Sequence, residues 1–304
     1  MDPPRADLRI GYLCNNNCRF CCVGEQRKFN LTTKEVIKEL EFAKKNKAEK
    51  VVFTGGEPTL RKDIVKLISY ASELSFKDIL VITNGRMCSY SNFYDKLVDA
   101  GLTSICFSLP DIRKDMYEHL TQVKGSFKEL IQALDNTQKY DLQVSTITTI
   151  MKVNYKILPE ITKFLINLRK NIPKIYSELM FINPTDSAWK NRLELVPKIS
   201  NAAPYIHKSL DIAIEHNYML NVEAVPFCFM KGYEDRIVEL NMAKERVYLD
   251  PEKKPDFKFN ENRKILGKIK SKYCMKCKFN SICEGVWKNY AKIYGISELK
   301  YPVK

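Results

Sequence analysis

The sequence predicts an α/β fold: a partial (β/α)6 barrel of the TIM type with helices outside, followed by a small cysteine-rich region. Two observations predict it. Short β-branched runs alternate with segments of helical periodicity over the first 215 residues or so, the pattern of parallel βαβ units. The last ~90 residues then change character, with Pro226, Pro251 and Pro255 and four cysteines. The units are therefore expected at 1–216 and 217–304.

The elements follow in order. Leu8–Leu13 reads as a strand and Thr33–Lys45 as a helix through Val36, Ile37, Leu40 and Phe42. Lys50–Phe53 is a strand, followed by a helix over Ile64, Leu67, Ile68 and Ala71. Asp78–Thr83 and Thr103–Ser108 are strands, each followed by a helix, marked by Phe93, Leu97 and Val98 and by Phe127, Leu130, Ile131 and Leu134. Leu142–Ile150, rich in threonine, and Ser177–Ile182 complete six strands, with helices near Leu158–Leu168 and over Ile199–His216.

Composition narrows the class. Of 304 residues, 45% are hydrophobic and 28% charged, which excludes disordered and collagen-like chains. The net charge is +14, but the lysines are dispersed and often neighbour glutamates, as in Lys34-Glu35 and Lys38-Glu39. That favours a solvated surface over a nucleic-acid site. No apolar run reaches the ~18 residues of a membrane span, and no secretory signal opens the chain. A cytoplasmic, reducing location is expected, where the ten cysteines read as metal ligands rather than disulfides.

Two constellations carry chemistry. The first is Cys14, Cys18 and Cys21 in C-x3-C-x2-C spacing directly after the first strand. Three thiolates hold a cluster but leave one metal position open for a further ligand; a packed thiol group is the bland alternative. Thr54-Gly55-Gly56-Glu57-Pro58 follows the second strand. In a parallel array the segments after the strands share one face, so the thiols, this turn, Thr83-Asn84-Gly85, Ser108-Leu109-Pro110 and Asn183-Pro184-Thr185 are expected at one mouth. The second constellation is Cys274, Cys277 and Cys283 with the upstream Cys228. On spacing alone four thiolates suit tetrahedral zinc or an iron–sulfur cluster equally.

At these residues the chain resembles the radical SAM superfamily, through the C-x3-C-x2-C set and the Gly-Gly-Glu-Pro stretch, over roughly residues 8–185. The resemblance implies a [4Fe–4S] cluster on Cys14, Cys18 and Cys21 whose open iron chelates S-adenosylmethionine. An external one-electron reductant of the flavodoxin or ferredoxin type would supply the electron. The sulfonium would be cleaved to a 5′-deoxyadenosyl radical that abstracts a substrate hydrogen. By the same resemblance Gly55, Gly56 and Glu57 hold the methionine amino end, Phe20 backbone lies along the adenine, Ser108 and Thr83 contact carboxylate or ribose, and Asn183 lies near the adenine. Where many relatives read Ser-Leu-Asp-Gly, this chain has Ser108-Leu109-Pro110-Asp111, so Asp111 is given no role. The later thiols resemble a twitch or truncated SPASM extension holding one auxiliary [4Fe–4S] cluster on Cys274, Cys277 and Cys283, with Cys228 either as its fourth ligand, the favoured reading, or as a buried side chain that leaves one iron open to substrate.

Other residues receive ordinary readings. Cys22 is expected to pack, as are Cys88 and Cys106. His119 and His207 are expected as hydrogen-bonded side chains, and Trp287 and Tyr290 as cover for the auxiliary cluster.

The extension type leads to the expectation that the substrate is a peptide or protein side chain. With the first strand near residue 8, any leader-binding module is expected on a separate protein. The alternative is a small-metabolite enzyme like the molybdenum-cofactor enzyme that rearranges GTP, although that family ends in Gly-Gly and this chain in Tyr301-Pro302-Val303-Lys304. RNA modification is motivated by charge alone. An iron–sulfur electron carrier would leave the Gly-Gly-Glu-Pro stretch unexplained.

Overall fold

Eight strands form one parallel sheet in the order β7-β6-β5-β4-β3-β2-β1-β8 in the computed structural model, which describes residues 4–24, 26–241, 246–249, 256, 258–300 and 303. Pro251, Pro255, Tyr301 and Pro302 lie outside the described residues. The strands are β1 (Arg5–Arg9), β2 (Lys50–Thr54), β3 (Asp78–Thr83), β4 (Ser104–Ser108), β5 (Gln143–Ile150), β6 (Ile175–Phe181), β7 (Leu220–Glu223) and β8 (Arg246–Leu249). The partial barrel is thus as expected, with two more strands than six. β7 and β8 have four residues each, too short for periodicity to show. Both come from beyond residue 217, so the later part of the chain completes the sheet it follows.

Helices cover the outer face: α1 (Thr33–Lys45), α2 (Ile64–Glu73), α3 (Ser91–Asp99), α4 (Lys114–Thr121), α5 (Ser126–Thr137), α6 (Leu158–Leu168), two short turns α7 (Asp186–Lys190) and α8 (Arg192–Leu195), and α9 (Ile199–Glu215). The start of α1 shows why it begins there. Thr32 Oγ1 accepts from Glu35 N and the Glu35 carboxylate accepts from Thr32 N, so two orphan amides of the first turn are satisfied.

Strand alternation sorts the side chains into two layers. Ala6, Leu8, Val51, Phe53, Val81, Ile105, Phe107 and Val144 join the main core under the helices. The concave face carries a small cluster of Val52, Leu80 and Cys106, backed by Ile82 and Ile147. Most of its other positions are polar, including the Lys50–Asp78 ion pair at 2.7 Å. A sheet curled with a half-polar interior leaves room for a ligand rather than a packed centre.

The first strand differs most from expectation, ending at Arg9 rather than Leu13. Beyond it Gly11 bridges to Asn30, and the chain turns to pair with the loop after β2: Gly56 N donates to Gly11 O and Glu57 N to Leu13 O, both at 2.8 Å. The last helix, Lys288–Tyr294, docks on the segments after β6. Tyr290 Oη accepts from Ile199 N at 3.0 Å, Tyr294 Oη donates to Val196 O at 2.8 Å, and Asn289 Nδ2 donates to Pro184 O at 3.0 Å.

Candidate functional site

The loop from Cys14 to Cys21 lies across the mouth, where the C-terminal ends of β1 to β4 meet. It is tied down from every side. Asn17 N and Arg19 N donate to Thr121 O and Leu120 O at the end of α4, and Ala188 N of α7 donates to Cys21 O. Asn191 Nδ2 donates to Arg19 O, and Arg19 pairs with Glu194 of α8. Two further arginines grip the loop backbone. Arg27 Nη2 donates to Asn16 O at 2.6 Å, and Arg86 Nη1 to Asn15 O at 2.6 Å, while Arg86 is itself paired with Glu129.

The three thiols are half-buried, and Cys14 and Cys21 lie close enough to raise Cys18. Burial is the largest cause for each, lifting Cys14 and Cys18 and pushing Cys21 up to about 12. Asn16 N points at Cys14 Sγ and Val23 N at Cys21 Sγ, each at 3.4 Å. Thiols so placed are poor thiolates without a cation and good ones with it. The donor set therefore fits an iron–sulfur cluster. Cys22 is exposed, not packed as expected.

Glu57 is the hub beneath. Its buried carboxylate accepts from Thr59 N (3.1 Å) and Oγ1 (2.6 Å), Thr83 Oγ1 (2.8 Å) and Asn84 N (2.7 Å). Burial still raises its pKa, outweighing those bonds. Glu57 and Thr83 thus spend their side chains on each other, joining the loops after β2 and β3. Asn84 passes that order on, donating to Asn15 Oδ1 at 2.7 Å inside the thiol loop. Gly55 and Gly56 lie against the chain after β1; a Cβ on Gly56 would meet Leu13 O at 2.3 Å and Tyr12 carbonyl carbon at 2.5 Å. Ser108 ends β4 on the concave face, and Asn183 follows β6; neither side chain has a hydrogen-bond partner among the described residues. Phe20 is half-buried against the core.

The later thiols meet elsewhere. Cys228, Cys274, Cys277 and Cys283 line one cavity with Phe227 and Gly285. Burial pushes Cys228 up to about 12, with the other three thiols as the next causes. Gly285 has φ +83, and a Cβ there would meet Ile269 O at 2.2 Å, so the turn after Cys283 closes only without a side chain. Among the described residues no three His, Cys, Asp or Glu side chains converge on a single metal-ion position. The four thiols do share one cavity, a donor set that suits an iron–sulfur cluster or tetrahedral zinc.

Trp287 and Tyr290 do not line that cavity, contrary to expectation. Trp287 lies under Lys268 Nζ, 3.6 Å from the ring centroid, and Tyr290 packs on Phe181. His119 pairs with Glu194, and His207 Nε2 lies 2.7 Å from Phe229 O. Cys88 and Cys106 are buried, and Asp111 is held by Arg113. Arg27 and Arg86 are the residues that sequence reasoning missed, and Asn84 was placed at the mouth without a role. The Asn-rich stretch between the thiols was the available signal, since bare loop amides and carbonyls require outside partners.

A curled parallel sheet with three thiols across its mouth defines a radical SAM architecture. The family model described as the radical SAM superfamily matches residues 8–165, and the chain belongs to that superfamily. It is an S-adenosylmethionine-dependent iron–sulfur enzyme. Among curated relatives, a probable GTP 3′,8-cyclase of Methanocaldococcus jannaschii is 26% identical over 258 residues, 82% of this chain and 83% of the relative. Another, from Saccharolobus solfataricus, is 31% identical over 185 residues, 60% of this chain and 58% of the relative. Among solved structures, Streptococcus suis SuiB bound to precursor peptide SuiA matches with TM-score 0.70 at 15% identity, covering 99% of this chain and 75% of that one. At that identity the likeness shows the fold alone. The expectation of a peptide or protein substrate is accordingly corrected: the relatives that share sequence over most of the chain are named for a nucleotide. No helix among the described residues is long and apolar enough to cross a membrane.

Proposed function

We propose that this chain is a small-metabolite radical SAM enzyme acting on a purine nucleoside triphosphate, in the manner of the GTP 3′,8-cyclases it resembles. The observation that carries the reading is the 26% identity over 82% of the chain. When bound, the cluster and S-adenosylmethionine supply reductive C5′–S cleavage and the radical that abstracts hydrogen. The protein's part is to place and shield. Cys14, Cys18 and Cys21 hold the cluster, and Glu57, Asn84, Arg27 and Arg86 fix their loop. Gly55 and Gly56 offer backbone rather than side chain to the methionine end, with Phe20 backbone along the adenine. Ser108 and Asn183, with uncommitted polar atoms, are the side chains suited to contact S-adenosylmethionine. Arg9, at the mouth end of β1 and in register with Thr54, is suited to a phosphate.

The region 217–304 carries a second [4Fe–4S] cluster, with Cys228 as the fourth thiolate beside Cys274, Cys277 and Cys283. The shared cavity supports this reading.

The test is anaerobic incubation of the reconstituted chain with reductant, S-adenosylmethionine and each of the four common ribonucleoside triphosphates. GTP-dependent 5′-deoxyadenosine and a cyclised product of unchanged nucleotide mass are expected. Equal 5′-deoxyadenosine with and without every nucleotide would overturn the nucleotide reading and leave the family assignment intact.

A further inference from the structure

The segment around the later thiols has a surface unlike the rest of the chain. Between Lys264 and Cys283 stand six lysines and no acidic residue. No other acid-free stretch of the chain carries as many lysines. Lys264 and Lys270 turn to backbone carbonyls of Ser281 and Asn280, and Lys268 is buried. Lys272, Lys276 and Lys278 are exposed, and none meets a carboxylate among the described residues. Apolar side chains stand among them in the open: Met275 is 80% exposed, and Tyr273 and Ile282 are also exposed. A solvated surface keeps such residues apart or covers them; together with unpaired charge of one sign they mark a contact face.

What lies beneath gives the face its meaning. Cys274 and Cys277 are in the same short segment as these lysines, and Cys283 adjoins Ile282. The mouth thiols offer no comparable approach. Arg19 and Arg86 there are paired with Glu194 and Glu129, and Arg27 is spent on loop oxygens.

We infer that this face docks an acidic one-electron carrier protein, of the flavodoxin or ferredoxin class, which delivers its electron through the auxiliary centre. The inference rests on the second cluster proposed above. Unpaired lysines steer an acidic partner, and the apolar side chains between them hold the encounter once formed. In the step itself one electron leaves the carrier, taking a flavin hydroquinone to its semiquinone, and enters an oxidised [4Fe–4S] cluster, which becomes one unit more negative. No group is transferred. Each mobile surface charge is also screened by salt, so the encounter weakens as ionic strength rises.

The experiment uses the full chain carrying Cys14→Ala, Cys18→Ala and Cys21→Ala, so that only the auxiliary centre can hold iron. Its reduction is followed by stopped-flow absorbance and by the electron spin resonance of the reduced cluster. Reduced flavodoxin is one donor, and photoreduced 5-deazariboflavin, small and neutral, is the other. Lys272→Glu with Lys276→Glu is expected to lower the second-order rate with flavodoxin about tenfold and to flatten its salt dependence. The rate with deazariboflavin stays the same. Lys163→Glu, an exposed charge on α6, is the control and leaves both rates unchanged. Equal flavodoxin rates in the lysine pair variant and the parent overturn the docking face while the cluster stands. Loss of RNA affinity in that variant with flavodoxin rates unchanged overturns it too, in favour of a nucleic-acid site. A parent that holds no iron overturns the auxiliary cluster itself.

Discussion

The two thiol sites are built by opposite means. The mouth set comes from eight consecutive residues, Cys14 to Cys21, so the chain supplies proximity at once and must import rigidity. It does so through Arg27, Arg86, Asn84 and the ends of α4 and α7. The later set gathers Cys228 from a turn after β7 and three thiols from 46 residues and more downstream. There the fold must supply proximity. A buried ionic knot does part of that: Arg263 faces Glu223 of β7, Glu239 and Glu284, with Lys268 beside Glu284. The comparison teaches that a site encoded in one loop depends on its clamps, and one assembled across the chain depends on the joint between segments.

The sharpest way to break the comparison is to empty one site and read the other. Cys14→Ala should abolish S-adenosylmethionine cleavage, a loss of at least about 1000-fold in 5′-deoxyadenosine formed, because the mouth set has no spare ligand. Iron should fall from about eight to about four per chain and no further, if the sites assemble independently. Iron near zero would show that the later site needs the first.

Next comes the approach of the two loops. Gly56→Ala places a methyl against backbone that cannot swing away, at 2.3 Å from Leu13 O. Either the Gly11–Leu13 segment shifts or the loop after β2 does, and both carry the thiol loop. A loss of about 2–4 kcal/mol in stability is expected, with weakened iron retention at the mouth and unchanged retention on the later thiols. Denaturant melts and site-resolved electron spin resonance check both parts. A smaller effect should follow Arg86→Ala, which frees Asn15 O and leaves Glu129 without its partner. About 2 kcal/mol is expected, and Arg86→Lys should recover only part, since one ammonium cannot serve both the Glu129 carboxylate and the loop carbonyl in the arginine's fork geometry.

These effects also mark where the sequence was legible. The βα alternation, the mouth thiols and the Cys274–Cys283 spacing could be read because each is local, whereas Cys228 stands far upstream of the thiols whose cavity it shares. The glycines after β2 were legible as a requirement but not in their cause, which is the nearness of the chain after β1 rather than a ligand alone. Arg86 was invisible because a basic residue after Thr83-Asn84-Gly85 looks like any surface charge until β3 brings it across to residues 15 and 16. Trp287 was misplaced for the same reason. Its spacing to Tyr290 put both on one helical face, but Lys268 and Arg263, distant in sequence, claimed the indole.

The joint between segments can be probed with the mildest change. Glu178 projects from β6 into the barrel, partly buried, beside Glu223 and near Glu239, with Arg5 as the opposing charge. Desolvation and the neighbouring acids hold its pKa well above the ordinary carboxylate value. The sign follows from proton binding. Above the ordinary range the folded chain keeps a proton that the unfolded chain has released, so stability declines as pH rises through that window. Glu178→Gln keeps a donor for Glu223 and never ionises. It should therefore gain over the parent at pH 8 by about 2–4 °C in melting temperature, and the gain should vanish near pH 4, where the parent is protonated in both states. Melts of the metal-free chain across pH 4 to 8 check this. A gain independent of pH would mean that the acid pair is not shared, and that the joint rests on Arg263 alone.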